Sequence, residues 1–189
     1  MRRLALAALL VFSLAPWSQA ATVAYQMDAA NSTVAFEADF GPDKISGTIP
    51  LEKADLRLDF ANVKNCTVEV VLDVSGAQAS FPFAAQALKG PKVLAARDYP
   101  RMTFKSTSVN GAGEAADVTG NLTIRGVTKT VTLKARLFRP QGSAATDLDH
   151  LTVKLSGNVN RSEFGATGWS DMVGDQVRIL ITARIDAQS

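Results

Sequence analysis

Gly120-Asn-Leu-Thr-Ile-Arg-Gly-Val-Thr-Lys129, running on through Thr130-Val-Thr-Leu-Lys-Ala-Arg-Leu137, decides the fold. In its second half Val131, Leu133, Ala135 and Leu137 alternate with Thr130, Thr132, Lys134 and Arg136. A period of two places the apolar set on one face and the polar set on the other, which is the pattern of a strand with one wet side. Arg125-Gly126 stands between this run and the one before it, and two residues with glycine second are a hairpin connection. The stretch is therefore two antiparallel neighbours, not a strand followed by a crossover.

The same rhythm extends in both directions. Leu151, Val153, Leu155, Gly157 and Val159 form one later face, and Val177, Ile179, Ile181, Ala183 and Ile185 another. Upstream, Val34, Phe36, Ala38 and Phe40, then Leu56, Leu58 and Phe60, then Val68, Val70, Leu72 and Val74 repeat it, and Met102 and Phe104 flank Thr103. Gly41-Pro42-Asp43, Ala61-Asn62 and Asn110-Gly111-Ala112-Gly113 supply turn chemistry between the runs. Asn160-Arg-Ser-Glu-Phe-Gly165 and Val173-Gly-Asp-Gln-Val177 mark where the last two strands end and begin. One segment departs from the pattern, Phe81 to Ala96, where Ala84, Ala85, Gln86, Ala87, Leu88 and Lys89 favour helix. Pro82 suits a first turn, Gly90 a stop, and Pro91 the start of a second short helix ending before Asp98-Tyr99-Pro100. The fold class is all-β, an antiparallel sheet of about eight or more strands with a short helical insertion near residues 82–96. Such a sheet buries its apolar face against a second sheet or by curling into a barrel, and alternation alone is the same in both.

Residues 1–20 read as a cleavable signal: Met1-Arg2-Arg3, an apolar run from Leu4 to Leu14, and the small residues Ser18 and Ala20 at the junction. The run stops at Ala15-Pro16, short of the roughly 20 apolar residues a membrane span needs. Export to the periplasm follows as an expectation, with residues 21–189 as one domain. Loss of Arg2 and Arg3 takes 20 basic residues to 18 against 18 acidic ones, so the processed chain is neutral. Without a basic cluster, nucleic acid is not an expected partner. Cys66 is the lone cysteine, far from the junction where a lipid-modified cysteine would sit, and it opens an apolar strand as a small buried hydrophobe would.

These segments resemble the YceI-like polyisoprenoid-binding family. The likeness rests on Tyr25-Gln-Met-Asp28 with Ser32 and Phe36, Asp98-Tyr-Pro-Arg-Met-Thr-Phe104 with Ser106, the Gly120–Lys129 stretch, Asn160–Gly165 and Val173–Val177, in that order. It implies a lipocalin-like antiparallel barrel whose interior receives an isoprenoid or other lipid-like chain. Family members usually carry a histidine where this chain has Asn31, and others near Asp39 and Ala87, where it has none. Head-group or metal roles resting on those histidines do not carry over. Val93-Leu94 also replace the residues usual after the family's first helical turn.

Phe36, Phe60, Phe81, Phe83, Leu88, Met102, Phe104, Phe164 and Trp169 are the candidate ligand-lining residues, although the same alternation would serve a solid core. Arg161 is the candidate polar contact, by charge-assisted hydrogen bonding to a head group; Arg125, beside Gly126, reads as a turn residue. No catalytic set is expected. The carboxylates Asp147, Asp149, Glu163, Asp171 and Asp175 read as solvated loop acids, His150 reads as a loop residue before a strand with no distinguishing neighbours, and neither zinc-ligand spacing nor a nucleophile elbow occurs. The sequence thus points to an exported, cofactor-free and metal-free binding protein for a polyisoprenoid, quinone-type or other lipid. The rival is a β-sandwich interaction module of the envelope with no small ligand. No membrane span is expected, and a homodimer is left open.

Overall fold

At Arg125-Gly126 the chain reverses in two residues, both in the left-handed region with φ of 53° and 75°. Ile124 then faces Val127, and the ladder continues without interruption to Ala115 opposite Arg136. Positive φ at both turn positions gives the twist that right-handed strands accept. The computed structural model describes residues 22–188; the signal read in residues 1–20 lies outside the described residues.

From this hairpin the sheet grows in both directions. Its strands are β1 (Val23–Met27), β2 (Thr33–Phe40), β3 (Asp43–Thr48), β4 (Leu51–Leu58), β5 (Thr67–Asp73), β6 (Gln78–Ala79), β7 (Arg101–Ala112), β8 (Ala115–Ile124), β9 (Val127–Phe138), β10 (His150–Asn160) and β11 (Val173–Ala187), with helix α1 (Pro82–Lys89) between β6 and β7. The neighbour order β1-β4-β5-β7-β8-β9-β10-β11 closes on itself because β1 also pairs with β11. The fold is an antiparallel eight-stranded barrel of lipocalin-like type with additional strands. This decides between curling and stacking: the apolar face turns inward on itself.

Long β11 serves two neighbours. Its end, Ile185 to Ala187, pairs with β1, while Val173 to Thr182 pairs with β2. The switch is made at Asp28–Ser32, where Asp28 accepts from the backbone of Ala30 and Asn31 and from the Asn31 amide, and the Ser32 hydroxyl accepts from the Arg184 backbone N–H at 3.0 Å. β2, β3 and β6 thereby extend the wall beyond the closed ring, and α1 follows β6 directly. A bulge at Thr107 has its own logic. It opposes Ser106 and Ser108 to the consecutive Gly120 and Thr119, so the buried set of β7 changes from Met102 to the odd-numbered Val109. One extra residue in a strand shifts the parity of everything after it.

Two packed clusters finish the ends. Tyr25, Leu56, Leu137, Leu151, Ala183 and Ile185, with Phe60 against them, fill the end remote from α1. Ile49, Val74, Ala77, Leu94, Ala96 and Met102 join the segment after α1 to the wall. Fully burying a large apolar side chain contributes about 1.5–3 kcal/mol, so each cluster is a substantial anchor.

Three details of the sequence reading are corrected. The second short helix does not form; after Gly90 the chain makes turns, with the Leu94 N–H donating back to the Leu88 carbonyl and the Ala96 N–H to that of Lys89. Ala95 is left-handed at φ 48°, a conformation no right-handed helix contains. Asn110, Gly111 and Ala112 belong to β7, and the reversal falls at Gly113-Glu114. His150 is the first residue of β10 instead of a loop residue.

Candidate functional site

The inward faces of the strands enclose a cavity of about 890 Å³, within the range of about 300–1,000 Å³ typical of ligand pockets. Phe36, Phe60, Phe81, Phe83, Leu88, Met102, Phe104, Arg161, Phe164 and Trp169 all border it. Their positions within it differ. Met102 and Phe164 are buried wall. Phe36 and Phe104 lie across glycines of adjacent strands: a Cβ on Gly120 would stand 2.5 Å from both the Phe104 Cζ and the Lys105 carbonyl, and one on Gly47 would overlap the Phe36 ring and the Gln78 carbonyl. These rings pave the wall because the neighbouring strand has no side chain there. Phe60 closes the far end, edge-on to Tyr25 at 5.9 Å.

Phe81, Phe83 and Trp169 sit at the opposite end, partly in solvent, with Phe83 66% exposed and Trp169 49%. Here the Phe81 ring meets that of Phe40 at 6.1 Å. The Met172 carbonyl accepts from the Gly41 N–H, and the Lys92 carbonyl from the Gly168 N–H. The β2–β3 hairpin, the 166–172 loop and the α1 segment therefore form one mouth. Leu88 points from α1 into the cluster beneath it.

Most of the lining is aliphatic and was visible only as the period-two faces of the strands. Leu58, Val68, Val70, Leu122, Leu133, Leu155, Ile179 and Ile181 border the cavity beside the aromatic residues. Ile45, Gln86 and Met172 also border it, and nothing in the alternation singled them out. Among the described residues that line the chamber, Gln86, Glu114 and Arg161 are the polar side chains.

Both charges already have protein partners. Glu114 takes an ion pair from Arg139 at 2.8 Å. Buried Arg161 donates through Nε to the Gly174 carbonyl, through one terminal nitrogen to the Ala166 and Gly168 carbonyls, and through the other to that of Val173, all at 2.7–2.9 Å. Four of its five N–H donors are thus committed to holding the rim loop. Arg125 acts similarly at the facing rim, donating to the Pro91 and Val93 carbonyls at 2.7 Å each.

Titratable groups outside the chamber are ordinary in chemistry. His150 is exposed and 2.7 Å from the Asp186 carboxylate, which raises its pKa. The Ser162 N–H and hydroxyl hold Asp175 below the usual carboxylate range. Asp59 is kept low by the Asn65 amide and the Asn62 and Ala61 N–H groups in the turn before β5. Cys66, by contrast, borders the chamber; burial pushes its thiol up, its sulfur accepts from the Asp59 N–H at 3.3 Å, and it packs with Val109 and Val118. Among the described residues no three His, Cys, Asp or Glu side chains are placed to hold a metal, and no helix is long and apolar enough to cross a membrane.

Comparison with known proteins places the geometry. The model of the YceI-like domain matches residues 25–185. Protein YceI of Salmonella arizonae and its counterpart in Salmonella newport are each 30% identical over 115 residues, 61% of this chain and 60% of theirs. The match thus spans about 60% of the length of these relatives. Burkholderia cenocepacia BcnA superposes with a TM-score of 0.75 at 22% identity, over 84% of this chain and 99% of that one. The Campylobacter jejuni YceI protein gives 0.63 at 18%, over 100% and 99%. At these identities the structures establish a shared fold.

Proposed function

The chain belongs to the YceI-like family, and on that premise we propose that it is an exported carrier which holds a long apolar molecule, a polyisoprenoid, quinone-type or other lipid, inside its barrel and away from water. The observation that carries this reading is the chamber of about 890 Å³ with an almost wholly apolar lining. A sandwich or solid interaction module would fill that space with its own side chains, since protein interiors are close-packed. Affinity needs no dedicated polar site. At about 0.8 kcal/mol per buried CH2, each five-carbon isoprene unit gains roughly 4 kcal/mol gross. Two to four units, roughly 8–16 kcal/mol gross, then span an association cost of about 4–15 kcal/mol.

Catalysis has no part in the proposal, because the titratable groups described lie outside the chamber or are spent on protein partners. Release into the periplasm after removal of residues 1–20 belongs to the same reading. Native mass spectrometry and solvent extraction of the purified protein should recover a hydrophobic molecule, and added prenyl alcohols should raise its melting temperature by mass action. An empty protein whose melting temperature is indifferent to such chains would refute the reading.

A further inference from the structure

The chamber's mouth has an outer surface that the fold leaves uncovered. Phe83, Trp169 and Met172 are 66%, 49% and 45% exposed, yet each also borders the chamber. The apolar surface is therefore continuous from inside the barrel to outside it. Trp169 is held outward by a left-handed backbone at φ 61°, and its carbonyl is fixed by the N–H groups of Met172 and Val173. A bulky residue adopts that region rarely and at a cost, which implies that the position of the indole matters.

On its α1 side this patch is basic, while the β2–β3 hairpin across the mouth carries Asp43 and Asp39, the latter paired with Lys44 at 2.9 Å. From Phe81 to Arg97 the chain has Lys89, Lys92 and Arg97 and no carboxylate, in a protein whose total beyond residue 20 is 18 basic and 18 acidic residues. None of the three takes part in an ion pair among the described residues. Lys92 packs against Gly168, next to Trp169. Asp98 follows the segment, and Asp171 adjoins Met172. Aromatic and aliphatic side chains flanked by lysine and arginine are what an anionic lipid interface accepts: rings at the headgroup level, cations against phosphates.

We infer that the mouth of the barrel docks on the surface of an anionic phospholipid bilayer, so that an apolar chain passes between membrane and chamber without crossing water. The inference rests on the chamber being a lipid site, and it adds where and against what the protein loads. Each basic residue near such a surface adds to the attraction, and salt weakens it.

Flotation with unilamellar vesicles tests it. Protein should float with vesicles of phosphatidylglycerol and phosphatidylcholine, and float at least fivefold less with phosphatidylcholine alone or in 0.5 M salt. Trp169, the only tryptophan beyond residue 20, should shift its emission to the blue on binding. The double variant Lys89→Glu/Lys92→Glu, which leaves the chamber lining intact, should lose most of the bound fraction while still taking up a prenyl alcohol by native mass spectrometry. Phe83→Ser should lose vesicle binding too. Docking is overturned if wild-type protein ignores anionic vesicles while its chamber fills, or if these variants bind them as wild type does. It is also overturned if Phe83→Ser abolishes a dimer seen by sedimentation and no vesicle binding occurs, which would assign the patch to a second copy. Vesicle binding with a chamber that never fills would instead refute the carrier reading and leave docking standing.

Discussion

Replacing Arg161 by methionine would strip charge-assisted hydrogen bonds from four backbone carbonyls, those of Ala166, Gly168, Val173 and Gly174. Buried acceptors left without donors are expensive, so urea unfolding should show a loss of roughly 2–4 kcal/mol. Arg161→Lys should recover little, because one ammonium cannot reproduce the guanidinium fork. An unchanged midpoint together with lost ligand affinity would make Arg161 a head-group residue instead. The sequence carried Arg161 as a residue at the rim, but whether its donors faced a ligand or the backbone depended on where residues 166–174 fold back. At His150 the pairing with Asp186 raises the imidazole pKa. The raised value adds stability that is complete below the unfolded pKa of about 6.5 and disappears as pH rises through the folded value. Asp28, Asp59 and Asp175, whose pKa values are lowered, act oppositely: their contribution is present above about 3.9 and is lost as pH falls through their folded values. NMR titration of Asp186→Asn should return His150 toward its ordinary pKa; no movement would sever the pair.

Strands and turns read from the sequence wherever a local rule governed them. The alternation from Val131 to Leu137 and the Arg125-Gly126 turn needed only pleat geometry and positive φ. The missing second helix did not, since it is undone by competing contacts: the Leu88 and Lys89 carbonyls draw the chain after Gly90 back onto α1, and Arg125 fixes it through Pro91 and Val93. Arg125→Gln should therefore raise hydrogen exchange across residues 91–96 with little effect on β8 and β9; unchanged exchange would show that the clip is dispensable. The glycine under Phe104 was equally hidden, because a glycine inside a strand does not announce what lies over it. Gly120→Val should cost about 1–3 kcal/mol or more by driving Cβ into the Lys105 carbonyl and the Phe104 ring, whereas normal stability would mean that the ring yields freely.

For the molecule as a whole, what the alternation withheld was closure. The same apolar faces suit a sandwich or a barrel, and the choice lies in β11 pairing with β1 as well as β2. Closure converts Leu58, Val68, Leu122 and Ile181 from candidates for a solid core into the wall of a chamber. The described residues line that space without filling it. Val118→Trp, on the chamber side of β8, should keep the barrel's circular dichroism yet abolish uptake of prenyl chains, and undiminished uptake would move the site elsewhere. The most direct measurement is a crystal structure of the wild-type protein grown with a long prenyl alcohol. Continuous density running from Trp169 at the mouth past Phe36 and Phe104 toward Phe60 is the expected result; a chamber holding only water, or a chain bound solely to the outer wall, would contradict it.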